Sequence, residues 1–155
     1  MKRARAIGNV AALVFAAATC AELVYALIAL PARIASHFGA GGVSYGSKLT
    51  LLLLLVPILG IFGLFAWVER RPLSAMNLPI ATITPNNEQR VHDAVLAMLA
   101  WMKACTIALF ATIALASVQS AGGTLSPLFL MATFWVIPLF GVLAYFMIAI
   151  AAIAP

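Results

Sequence analysis

The sequence predicts an all-α integral membrane protein, a four-transmembrane-helix bundle with both termini in the cytoplasm. Three observations predict it. Hydrophobic residues make up 65% of the 155 positions and charged residues only 8%, whereas a soluble domain carries charge on about a quarter of its residues. The apolar residues are gathered into four runs, each near the ~20 residues that cross a bilayer as a helix. The few cations flank those runs in an uneven distribution, which sets orientation.

The first run, about 7–30, comes after the basic leader Met1-Lys2-Arg3-Ala4-Arg5. A secretory signal begins in the same way, and Ala16-Ala17-Ala18 resembles a cleavage site. The run exceeds the roughly 7–15 residues of a signal core, so the expectation is an uncleaved first span. Pro31 ends it, because proline lacks an N–H and clashes with the preceding turn.

The segment 31–48 is rich in glycine and reads as a loop. Ser47 is the expected N-cap of a second span, about 49–68, in which Pro57 should introduce a bend. Gly60 and Gly63 are expected to admit a neighbouring helix at close range. Glu69-Arg70-Arg71-Pro72 ends this span and reads as a membrane stop and lipid anchor.

The polar segment 69–90 leads to a third span, about 91–117, with Thr84 and Pro85 as the expected N-cap and first helical residue. Ser126 and Pro127 repeat that arrangement before a fourth span, about 127–153, with a kink expected at Pro138. One side of the membrane then receives Lys2, Arg3, Arg5, Arg70, Arg71 and Arg90, the other only Arg33 and Lys48. The positive-inside rule places 69–90 in the cytoplasm and 31–48 outside.

Composition also excludes functions. The net charge of +5 is spread along span boundaries, where it suits anionic lipid headgroups and not nucleic acid. Cys20 and Cys105 fall inside apolar runs and read as buried small hydrophobes without a disulfide. No phosphate-cradling glycine motif and no nucleophile elbow appears. Trp67, Trp101 and Tyr45 sit near span ends, where aromatic belts form, and Trp135 lies deeper as packing.

Two segments resemble a known family. Leu30-Pro31, Ile34, His37-Phe38, the glycine cluster and Tyr45-Gly46-Ser47-Lys48 are similar to the signature of a widespread bacterial domain of unknown function, the front part of the SdpI-like membrane proteins. Asn77-Leu78-Pro79, Ile83-Thr84, Asn87, Arg90 and Leu99-Ala100-Trp101 resemble the next stretch of relatives with a four-helix layout. The resemblance implies a multi-pass protein of the bacterial plasma membrane, with an envelope-associated role and immunity to a membrane-active toxin as one instance. The chain departs from the pattern at Val43-Ser44, where relatives carry an acid or amide, and it stops after four helices.

Six residues are candidates for function. Glu22 lies well inside the first span, where a carboxylate must be paired, hydrated or protonated. Helical spacing groups it with Ala18, Thr19, Tyr25, Ala26 and Ala29 on an inward face, opposite Leu23, Val24, Leu27 and Leu30. Lys103, in the third span, is its candidate partner. At 1.5 Å per residue each lies about 12 Å from opposite boundaries, a gap two long side chains can close. A structural ion pair, or a Lys103 that snorkels to the headgroups, accounts for the same residues. Arg33, His37, Tyr45 and Lys48 stand in the outward loop. His37 with Glu22 supplies two ligands, fewer than a zinc site needs, and no metal or other cofactor is expected. Glu88 and His92 share an i,i+4 face that reads as solvated.

The leading expectation is a binding or immunity-like protein whose outward loop and upper bundle recognise a peptide, a lipid or a membrane partner. A proton- or ion-coupled transporter using Glu22 and Lys103 is the alternative, and four spans would then call for a homodimer. A membrane metalloenzyme is the third.

Overall fold

The structure, a computed structural model, describes residues 1–76 and 82–153, and of Phe38 only the backbone. Asn77, Leu78 and Pro79, part of the family resemblance, therefore lie outside the described residues. Helix α1 spans Lys2–Ala29, and an antiparallel hairpin comes next, β1 Arg33–Gly39 and β2 Gly42–Ser47. A 3₁₀ segment, Lys48–Leu54, runs directly into α2, Leu55–Glu69. Helix α3 spans Glu88–Gln119, and the last run is divided into α4, Leu128–Phe134, and α5, Val136–Ile153.

Four helical stretches are long and apolar enough to cross a membrane. The central one contains α3: 61% of its most apolar window is buried, against 11% for the α2 and α4–α5 stretches. Leu53, Leu59, Leu130, Phe140 and Ile148 are among the many large apolar side chains left on the outside. In water such a surface would drive association; in hydrocarbon it is the solvated face.

The tightest packing joins α1 to α3. The buried face of α1 is Gly8, Ala12, Thr19, Leu23 and Ala26. A Cβ on Gly8 would stand 3.0 Å from the carbonyl carbon of Ala100 and 3.1 Å from its Cβ, so this glycine sets the separation of the two helices. Gly60 and Gly63, expected to serve that purpose, have nothing within 4 Å of where a Cβ would be. The inward face of α1 also differs from expectation: Leu23 is buried, whereas Tyr25 and Ala29 are exposed. Cys105 is buried but Cys20 is exposed, so only one cysteine behaves as a core residue.

The prolines act where their chemistry requires. Pro138 cannot donate to Phe134 four residues back, and the helix breaks between Phe134 and Val136. Trp135 occupies the break, its indole N–H donating to Thr112 Oγ1 at 2.9 Å while its ring meets Phe15 edge-on. Pro57 likewise cannot donate to Leu53, near where the 3₁₀ segment gives way to α2. Ser47 and Ser126 accept from the N–H groups of Leu49 and Leu128, each at 3.2 Å, as expected of helix-start residues. Thr84 does not cap α3. Its carbonyl accepts from the backbone of Asn87 and Glu88, and the Asn87 side chain reaches back to Thr84 N at 2.8 Å. Asn87 thus turns the chain and α3 starts at Glu88.

The segment 31–48 corrects the all-α expectation. Gly42 adopts φ +104° to close the hairpin, a conformation open to glycine at little cost. Ser36 is an extra residue between the Ala35–Tyr45 and His37–Ser44 pairs, a β-bulge that bends the strand. A Cβ on Gly46 would lie 2.9 Å from Ser36 Oγ. The glycine signature therefore encodes a bulged hairpin in which Gly46 makes room for Ser36.

Candidate functional site

The hairpin is fixed to one end of the bundle. Ile34, 1% exposed, enters a cluster of Leu23, Ala26, Leu51, Ala114 and Ala121, which joins β1 to α1, the 3₁₀ segment and α3. Lys48 holds its base. Its ammonium donates to Leu27 O at 2.7 Å and Leu30 O at 2.8 Å, satisfying carbonyls that the end of α1 leaves without helical partners. Arg33 donates to Tyr45 O at 3.2 Å across the two strands. The Tyr45 hydroxyl reaches the turn after α3, where a Cβ on Gly123 would lie 2.8 Å from it. Gly123 has φ +97°, so the turn needs glycine both for its backbone and for the tyrosine.

Beneath the bulge lies a cleft of about 260 Å³ between the hairpin, the 3₁₀ segment, α3 and α4. Its polar wall consists of the hydroxyls of Ser36, Thr50, Ser117 and Ser120; Leu51, Leu54 and Phe129 form its apolar wall. Three of these hydroxyls already donate: Ser36 to Ser44 O at 3.4 Å, Thr50 to Ser47 O at 2.8 Å and Ser117 to Ile113 O at 2.8 Å. Their remaining lone pairs are acceptors. No charged side chain lines the cleft, so it suits a neutral group with an N–H or O–H and an apolar body.

The six expected site residues divide into three places. Arg33, His37 and Tyr45 are on the hairpin and Lys48 directly follows it, although Arg33 and Lys48 are engaged in holding it. His37 is exposed on β1 opposite Ser44. Glu22 is half-buried in α1, with Oε1 shielded and without a hydrogen-bond partner among the described residues.

Lys103 is not the partner of Glu22. Its ammonium meets Glu69 Oε1 at 3.1 Å, and Arg5 meets Oε2 of the same carboxylate at 3.2 Å. Glu69 thus joins α1, α2 and α3 at the end of the bundle away from the hairpin. The nearby Arg71 places its guanidinium 4.1 Å from the centre of the Trp67 ring. Among the described residues no three of histidine, cysteine, aspartate and glutamate lie close enough to hold a metal.

Comparison with models of known families, with curated proteins and with solved structures finds no match. The cleft hydroxyls escaped sequence reasoning because serine and threonine near span ends ordinarily serve as caps. The signal that marks them is the pair Ser117 and Ser120, placed i,i+3 on one face at the end of α3.

Proposed function

We propose that this is a multi-pass membrane protein of the bacterial plasma membrane, with both termini in the cytoplasm, whose outward hairpin binds an extended peptide segment of an envelope partner. The observation that carries the reading is the unequal burial of the two strands. Ile34 and Ala35 of β1 are buried against the bundle, whereas β2 is exposed over almost all of its length. A strand held firmly on one side and bare on the other offers unpaired backbone groups to a third strand. The neutral cleft below receives a side chain from such a peptide. Immunity to a membrane-active peptide, the role suggested by the resemblance to SdpI-like proteins, is one form of this activity.

Crosslinking tests it. A photoreactive residue at Ser44 should capture a discrete peptide or protein in living cells, and the product should vanish when His37 and Tyr45 are replaced by Ala. If position 44 yields only the adducts found at the lipid-facing control Ile148, the reading fails.

A second reading, a proton- or ion-coupled transporter, is favoured by Glu22 alone, since a shielded carboxylate oxygen without a partner is costly to retain. Reconstituted vesicles would show a pH-linked flux that Glu22→Gln abolishes. Absence of flux from the parent protein removes this reading.

A further inference from the structure

The end of the bundle away from the hairpin carries a second, different site. A hollow of about 380 Å³ is lined by Lys2, Arg5, Ala6, Asn9 and Asp93. These residues come from the first turns of α1 and from α3, where the two helices meet. Ala6 also lines a second hollow of about 430 Å³, wholly apolar in its side chains, made by Ile7, Val10, Ala11, Val14 and Phe15 along α1. A charged hollow and an apolar trough thus lie side by side along α1, with Ala6 lining both.

The dimensions and chemistry of the pair match one kind of molecule. From Ala6 to Phe15 the trough runs about 13 Å along the helix, close to the depth of one leaflet's hydrocarbon, about half of 30 Å. Phe15 stops its far end, held edge-on against Trp135 with ring centres 5.9 Å apart. At the charged end Lys2 and Arg5 offer donors suited to a phosphate. Arg5 uses one nitrogen on Glu69, and a guanidinium has further N–H groups to offer.

Beside these cations stands a carboxylate. Asp93 accepts from Gln89 through Oδ1 at 3.0 Å, which leaves Oδ2 for another donor. A headgroup that carries both a phosphate and a primary ammonium matches this juxtaposition of two cations with one acid.

We infer that the hollow and trough bind phosphatidylethanolamine, with phosphate on Lys2 and Arg5, primary ammonium on Asp93, and one acyl chain along Ile7, Val10 and Val14. The site rests on the chain lying in a membrane but is independent of the hairpin's role. Phosphatidylcholine has no N–H for Asp93. Phosphatidylglycerol has no cation for Asp93.

Native mass spectrometry of the delipidated full-length protein, titrated separately with palmitoyl-oleoyl phosphatidylethanolamine, phosphatidylcholine and phosphatidylglycerol, tests the assignment. Phosphatidylethanolamine should bind at least about tenfold more tightly than phosphatidylcholine, the effect of one charge-assisted hydrogen bond. Asp93→Asn, which can keep its bond to Gln89, should erase that difference without weakening phosphatidylglycerol. Lys2→Ala should weaken all three, and Ala6→Leu should crowd both hollow and trough and do the same. Glycerophosphoethanolamine, which has the headgroup and no chains, should not bind over the same range. Equal retention of the ethanolamine and choline lipids, a preference for phosphatidylglycerol, or an Asp93→Asn protein with unchanged selectivity would each overturn the assignment. Binding of glycerophosphoethanolamine as tight as the intact lipid would overturn the role of the trough.

Discussion

Lys103 and Glu69 lie 3.1 Å apart, with only about a tenth of the lysine side chain and 15% of the glutamate exposed. Removing one partner of such a pair leaves the other charge buried and costs about 3–5 kcal/mol. Glu69→Gln should therefore be among the most destabilising substitutions in the chain, since it strands Lys103 and also releases Arg5. Lys103→Met should cost less, because Glu69 keeps Arg5. Unfolding of the purified protein in mixed micelles, followed by circular dichroism, measures both.

Gly8 and Gly60 should respond oppositely to the same change. A methyl group on Gly8 meets Ala100 at 3.0–3.1 Å, and overpacking of this kind costs about 1–3 kcal/mol. A methyl group on Gly60 meets nothing within 4 Å, and alanine favours a helix over glycine by about 0.8–1 kcal/mol. Gly8→Ala should lower the unfolding midpoint while Gly60→Ala leaves it unchanged or raises it.

Lys48→Met should loosen the hairpin before it loosens the bundle. It deprives the Leu27 and Leu30 carbonyls of their donor, and bonds from a charged donor contribute about 1.5–3 kcal/mol each at most. Hydrogen exchange should accelerate over 27–39, while protection of Val91–Ile107 in α3 stays as in the parent.

Sidedness has a direct measurement. In a protein lacking Cys20 and Cys105, a cysteine at Ser44 should react with a membrane-impermeant maleimide in intact cells. A cysteine at Arg70 should react only after the membrane is made permeable. The reverse pattern would invert the proposed orientation and place the hairpin in the cytosol.

The four long helices were legible because apolar runs of sufficient length carry their own signal, and Ser47 and Ser126 marked helix starts by local chemistry alone. The hairpin was not legible. Its strands are short, and Gly39, Gly41, Gly42 and Gly46 break the alternation that would have announced them. Only the contact of Gly46 with Ser36 and the burial of Ile34 explain why such a stretch becomes a sheet. At the candidate site, Tyr45 and His37 were singled out by residue type alone, whereas Lys48 and Arg33 hold the hairpin through backbone carbonyls. Glu69 was hidden for a related reason: beside Arg70 and Arg71 it looks like a stop signal, and its partners are supplied by helices remote in sequence. Gly8 was missed because a lone glycine near a basic leader has no pattern to distinguish it from Gly60.

The three-way ionic knot at Glu69 constrains the order in which the nascent chain can settle. Arg5 leaves the ribosome first, the carboxylate second and Lys103 last. The acid therefore arrives to find a counter-charge already waiting, and the lysine arrives to find an oxygen still available. The carboxylate and the lysine can each be neutralised on entry, because a partner of opposite charge precedes both in the chain.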